Sequence, residues 1–188
     1  MGLGNPGARY APTRHNVGFE VARELIRRWE LGRPAKRFRG LIAEGRAGAG
    51  GPRVAVLLPQ TFMNESGKSA GPARGSLRVR IESTVVVHDE IDLDFGTIRA
   101  RLGGGVAGHN GLKSLRQGFG SADFWRVRVG VGRPDSTDPE VVSAYVLSRF
   151  AEPADAVADL VHSAADEAEK VVNQIASEEA DPIGEVTD

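Results

Sequence analysis

The sequence predicts a single α/β domain, and three observations carry that expectation. Strand-length runs rich in Val and Ile alternate with stretches of helical apolar spacing, as they must where helices cover a sheet. The 188 residues are 40% apolar and 26% charged, which suits one sizeable core and argues against a disordered chain. No internal repeat divides the chain, so neither a solenoid nor a propeller is indicated.

The opening "MGLGNPG" places Gly2, Gly4 and Gly7 at the spacing G-x-G-x-x-G. A dinucleotide-binding turn needs a strand before the first glycine and a helix opening at the last. Neither fits a motif that begins at Gly2 and has Pro6 and Pro12 on either side of Gly7, since proline lacks an N–H and clashes inside helices. The segment reads instead as a tight turn, which leaves Asn5 between the glycines unexplained. Val17, Val21 and Leu25 then recur every four residues, with Phe19, Ala22, Ile26 and Trp29 beside them. That spacing predicts an amphipathic helix over 16–30, with His15 or Asn16 at its start.

"LIAEGRAG" and "RVAVLLP" flank a glycine-rich turn at 48–52 and read as paired strands. "QTFMNESG" is a loop leading to a helix near 66–77, whose continuity Gly71 and Pro72 put in question. "STVVVHDE" is a strand of the buried type, and "TIRARL" and "WRVRVGVG" alternate as half-exposed strands. Between those two, "GGGVAGHNGLKSLRQGFG" passes from glycines into a short helix beginning near Asn110. Leu160, Ala164, Ala168, Val171 and Ile175 belong to an acidic amphipathic helix over 154–177 that packs on the sheet or covers an edge. The domain is expected to span 1–177, with 178–188 a disordered tail that lacks apolar periodicity.

The absence of cysteine excludes disulfides, thiolate metal sites and cysteine nucleophiles. With no secretory leader and no apolar run long enough to span a bilayer, the chain is expected to be soluble and cytoplasmic, with no membrane partner. The net charge of −1 conceals an asymmetry. Residues 152–188 hold eleven of the 25 acidic residues and one of the 24 basic ones, which leaves 1–151 at a net +9. Such a local excess permits a polyanionic partner, although solvated surface arginines give the same count.

Four loops concentrate amides, imidazoles and carboxylates: "GNPGARYAPTRHNVG", "TFMN", "HDEIDLD" and "AGHNG". No G-x-S-x-G elbow is present, and His15, His88, His109 and His162 lack close ligand spacing, so no metal or other cofactor is expected. What remains is water activated by a histidine whose tautomer is set by a carboxylate such as Asp89. Such a pair suits ester hydrolysis, with Asn5, Asn64 or Asn110 donating to the oxyanion or holding the substrate main chain. Each residue also has a plain structural reading: His15 as a helix cap, Asp89 in a turn, Asn110 as an N-cap.

"GLGNPGARYAPTRHNVGF", "PQTFMNESGKS", "VVHDEIDLDFGTIRARLGGGVAGHNGLKS" and "FWRVRVGVGRP" resemble, in order and separation, the signature segments of bacterial peptidyl-tRNA hydrolases. The resemblance covers most of 2–150. It implies a mixed twisted sheet sandwiched by helices, a monomer without an obligate protein partner, and hydrolysis of the ester between a peptide and the 3′ ribose of tRNA. By the same resemblance His15 matches the catalytic base, Asp89 its supporting carboxylate, and Asn5 the residue that tells blocked from unblocked aminoacyl-tRNA. Tyr10, Phe62, Asn64 and Asn110 match positions binding the tRNA 3′ end or the peptide, and Met63 and His109 line the same cleft. Arg101 and Arg128, and Lys113 beside them, match basic positions for tRNA phosphate. A non-enzymatic RNA-binding relative of the same fold is the alternative. The resemblance also implies a first strand of several apolar residues, so a central strand starting at Met1 is expected to be missing or short.

Overall fold

The computed structural model describes residues 1–106 and 108–180. Among the described residues six strands are formed: β1 (Ala35–Arg37), β2 (Gly40–Arg46), β3 (Arg53–Pro59), β4 (Val85–Glu90), β5 (Ile98–Leu102) and β6 (Trp125–Gly130). β1, β2 and β3 make an antiparallel meander, while β6 lies between a parallel β4 and an antiparallel β5. The first three residues join the two halves. Gly2 N–H donates to Leu57 O at 3.1 Å, Leu3 N–H donates to Val87 O at 2.9 Å, and Val87 N–H donates to Met1 O at 2.9 Å. Where a central strand is expected to be missing or short, a single bridge forms, Gly2 opposite Val87, and the sheet is mixed, as the resemblance implies.

Two cores follow from the period of two along the central strands. Val87, Val127 and Val129 face one way, onto Val17, Phe19, Val21 and Leu25 of α1 (Val17–Arg28) and Leu160, Ala164 and Ala168 of α5 (Ala154–Ala180). Val86 and Phe124 face the other way, with Leu3, onto Ala70 of α2 (Gly67–Leu77) and Leu112 and Leu115 of α3 (Asn110–Phe119). "VVVHDE" lacks alternation because both of its faces are covered.

The glycines of "MGLGNPG" divide their work. A Cβ on Gly2 would lie 1.9 Å from Gly18 O, and one on Gly18 would lie 2.5 Å from the carbonyl oxygens of Leu3 and Val87. The start of α1 therefore rests on the strand backbone itself, which only glycine permits. Gly7, at φ +101°, makes the turn. Past Met1 a cavity of about 530 Å³ opens, lined by Ala55, Leu57, Ala73, Val85, Phe119 and Val172 among others. The Met1 α-ammonium donates to Val85 O at 2.7 Å at its edge, and burial lowers the pKa of that amine to about 5.

Two sequence expectations are adjusted and two elements are added. α2 runs unbroken through Pro72, because it is held by backbone-close packing on α3: a Cβ on Gly67 would meet Ser114 O at 2.1 Å. β1 has only exposed residues and so shows no apolar pattern. α4 (Pro139–Val146) is short, and its start is marked by Asp138, which accepts from the N–H groups of Glu140 and Val141. α5 reaches Ala180, so 178–180 belong to the helix, and the rest of the expected tail, 181–188, lies outside the described residues. Among the described residues no helix is long and apolar enough to cross a membrane.

Candidate active site

β4 ends in His88-Asp89-Glu90, and strand alternation sends these side chains to different faces. Asp89, 3% exposed, turns toward the start of α1. There the 3₁₀ turn Arg14–Asn16 presents His15, whose Nδ1 lies 2.8 and 2.9 Å from the two Asp89 oxygens. His109 reaches the same carboxylate beside it, with Nε2 3.1 Å from Oδ1 and its ring centroid 5.2 Å from that of His15.

The hydrogen-bond network assigns both tautomers. His109 is the N-cap of α3, and its Nδ1 accepts from the N–H groups of Gly111 and Leu112, at 3.1 and 3.3 Å. Its proton is therefore on Nε2, directed at Asp89. His15 donates from Nδ1 to the same carboxylate, which leaves the lone pair on His15 Nε2. The three ligating atoms lie within 4.8 Å of one another, a donor set of metal-site composition, but in this network both nitrogens present N–H to the carboxylate.

Burial favours the neutral forms of both partners in the pair, and the pairing opposes it. Burial alone would lower the His15 pKa, but the Asp89 charge and hydrogen bond outweigh it and raise that pKa above 6.5. Burial alone would raise the Asp89 pKa, yet His15 and His109 hold it well below the usual carboxylate range. His88 is a different case. Fully buried, with its Nδ1 2.7 Å from Asp89 O and its ring edge-on to His109 at 4.9 Å, it is pushed down to about 3, first by burial and then by His109. It stays neutral.

Asn5 is held at every group but one. Its N–H donates to Asn16 Oδ1 and its C=O accepts from Asn16 Nδ2, both at 2.9 Å, while its Oδ1 accepts from Met63 N–H at 2.8 Å. The remaining Nδ2 is a fixed donor. Met63 is buried beneath this contact, and Phe62, 54% exposed, meets Tyr10 edge-on at 6.3 Å between ring centroids. Asn64 and Asn110 are exposed, at the 3₁₀ turn Met63–Glu65 and at the first position of α3. Asn110 is not the N-cap, because His109 takes that place.

The three basic positions are separate from this cluster. Lys113 is exposed on α3 and Arg101 on β5, while Arg128 on β6 is partly buried, with Nε 3.0 Å from Glu90 Oε2. Arg101 stands opposite Arg126, and Arg128 opposite Arg99. Arg126 was not singled out by sequence, and its role differs from that of its neighbour: it is buried and donates to the carbonyls of Gly104, Gly105 and Ala122, anchoring the loop after β5. Burial, then the charges of Arg101 and Arg128, lower its pKa. Asn16 and Arg14 were missed as well. Arg14 lies 4.4 Å over the Tyr145 ring and donates to Ser148 Oγ at 2.8 Å and Glu152 Oε2 at 3.2 Å, tying the His15 turn to the chain between α4 and α5. Only the "R-x-R" alternation and the "RHN" string marked these residues, and neither reveals burial.

A histidine oriented by a buried carboxylate and set beside a fixed amide donor at the loop ends of an α/β sheet is an arrangement that can activate water, as a hydrolase requires. The family description Peptidyl-tRNA hydrolase matches residues 1–184. A peptidyl-tRNA hydrolase of Mycobacterium sp. (strain KMS) is 51% identical over 151 residues, covering 80% of this chain and 77% of the relative. That of Geobacillus thermodenitrificans is 43% identical over 173 residues, 92% of this chain and 91% of the relative. The crystal structure of the Acinetobacter baumannii peptidyl-tRNA hydrolase superposes with a TM-score of 0.81 at 36% identity, covering 95% of this chain and 89% of that one. The chain belongs to the peptidyl-tRNA hydrolase family.

Proposed function

We propose that the chain hydrolyses the ester joining a peptide, or an N-blocked aminoacyl group, to the 3′ ribose of tRNA, with His15 as the base. The observation that carries the residue assignment is the His15 Nδ1–Asp89 contact at 2.8 Å, which leaves Nε2 as the only lone pair of that ring. His15 Nε2 takes a proton from water as the water oxygen attacks the ester carbonyl. Asp89 compensates the imidazolium that forms. On collapse the bond to the ribose oxygen breaks and the histidine proton passes to that oxygen, so the products are a peptide carboxylate and a free tRNA hydroxyl.

Asn5 Nδ2 donates to the substrate amide or to the developing oxyanion, and in the first role it distinguishes a blocked from an unblocked amine. Asn64 and Asn110 hold the peptide or the 3′ end, and Tyr10 and Phe62 offer an aromatic edge where a terminal base stacks. Met63 and His109 form the floor. Arg101, Arg128 and Lys113 contact phosphate, which supplies affinity and position, while the ester and the amide supply specificity. A substrate left over from aborted translation is consistent with a cytoplasmic enzyme, and the family resemblance supports a monomer.

The test is release of a labelled N-acetyl-aminoacyl group from tRNA by wild type and His15→Ala, with free-amine aminoacyl-tRNA as control. The expected result is release by wild type alone, with the control spared. Equal release by folded His15→Ala refutes the mechanism. No release by either favours the RNA-binding alternative.

A further inference from the structure

The face of β5 and β6 that carries Arg99, Arg101, Arg126 and Arg128 sets like charges directly opposite one another, Arg99 against Arg128 and Arg101 against Arg126. Such pairs destabilise a sheet unless an anion compensates them. Arg126 donates from its two terminal nitrogens to three carbonyl oxygens, and its buried Nε has no partner among the described residues. Arg99 and Arg101 are exposed and, among the described residues, neither has a carboxylate partner. Glu90 is the only carboxylate in ion-pair contact with this row among the described residues. Its side chain is 18% exposed and that of Arg128 is 25% exposed.

Glu90 is well held. One oxygen accepts from Arg128 Nε at 3.0 Å and the other accepts from Asp92 N–H at 3.1 Å. It also follows Asp89 directly in β4, so the strand that positions the catalytic carboxylate on one face positions a second carboxylate on the other.

We propose that Glu90 is the internal counter-ion of Arg128, holding the place that a tRNA phosphate takes, so that substrate phosphate must displace it. This rests on the reading of Arg128 as a tRNA contact. A carboxylate on the guanidinium repels any second anion there, and a lone phosphate gains too little to replace it. A polynucleotide that also engages Arg101 and Lys113 gains several contacts at once and can. Glu90 thus sets specificity: it lowers affinity for every anion at Arg128 and penalises small ones most.

The test is Glu90→Gln, which removes the charge and leaves one side-chain oxygen, able to accept from Arg128 Nε or from Asp92 N–H but not from both. KM for N-acetyl-aminoacyl-tRNA is expected to fall about two- to fivefold, the range for a partly exposed ion pair. The slope of log affinity against log salt should steepen by about 0.7–0.9, one phosphate contact. Added inorganic phosphate should inhibit Glu90→Gln more than wild type, and the double variant with Arg128→Ala should show no tightening. If KM rises or stays the same in Glu90→Gln while Arg128→Ala alone does weaken binding and flatten the salt slope, the counter-ion role is overturned and the tRNA surface stands. If Arg128→Ala leaves affinity and slope unchanged, the tRNA reading of Arg128 fails and the proposal fails with it.

Discussion

Asp89→Asn separates the two things the carboxylate does for His15. In the native site two N–H donors, His15 Nδ1 and His109 Nε2, converge on one buried carboxylate at 2.8–3.1 Å. An asparagine offers one oxygen and one NH₂ group, so one of the two imidazoles must turn, change tautomer or leave its partner unsatisfied. His109 is anchored by the N–H groups of Gly111 and Leu112, so the strain falls on His15. Loss of a correctly oriented base costs about 10²–10⁴ in rate. The titration changes sign as well. Burial lowers the His15 pKa and only Asp89 raises it, so without the charge the net shift turns from upward to downward. With His15 as the proposed base, the acidic limb of kcat/KM is expected above pH 6.5 in wild type and below it in Asp89→Asn. By the same linkage the raised His15 pKa contributes stability that is fully present below pH 6.5 and is lost as pH rises through that pKa, while the lowered Asp89 pKa contributes stability that is lost only as pH falls below the usual carboxylate range. Steady-state rates across pH 5–9, with NMR titration of the His15 ring, read both effects. An acidic limb that does not move, or a loss in rate of less than about tenfold, would refute the reasoning.

Gly18→Ala should destabilise by at least about 2 kcal/mol, since its Cβ would lie 2.5 Å from Leu3 O and Val87 O; an unchanged melting temperature would contradict the close contact. Asn5→Asp keeps the acceptor for Met63 N–H and loses the Nδ2 donor. It should fold normally yet lose about 10²–10³ in kcat if that donor serves the oxyanion, and wild-type turnover would remove it from that role.

The elements were legible where their signal is local. The four-residue spacing of Val17, Val21 and Leu25, and the unbroken "VVV" of β4, report burial on one side or on two, because periodicity is a property of a single segment. β1 escaped because an exposed three-residue edge carries no apolar pattern, and α4 because eight residues are too few for one to show. Pro72 was a false warning: packing on α3 outweighs the propensity cost inside α2.

The sequence by itself determined the α/β alternation, the basic excess before residue 152, and the four polar loops from which a water-activating site could be built. Tertiary structure decided that His15, Asp89 and His109 meet although 74 and 20 residues separate them in pairs, and that the start of α3 holds the His109 tautomer. It also divided "RVRV" into a buried anchor, Arg126, and a partly exposed cation, Arg128, and gave Gly2, read from the sequence as part of a tight turn, a backbone contact with Gly18. The reason is the same in each case. Periodicity and composition are written along one segment, whereas a tautomer, a paired charge or a backbone contact depends on what a distant segment brings within about 3 Å.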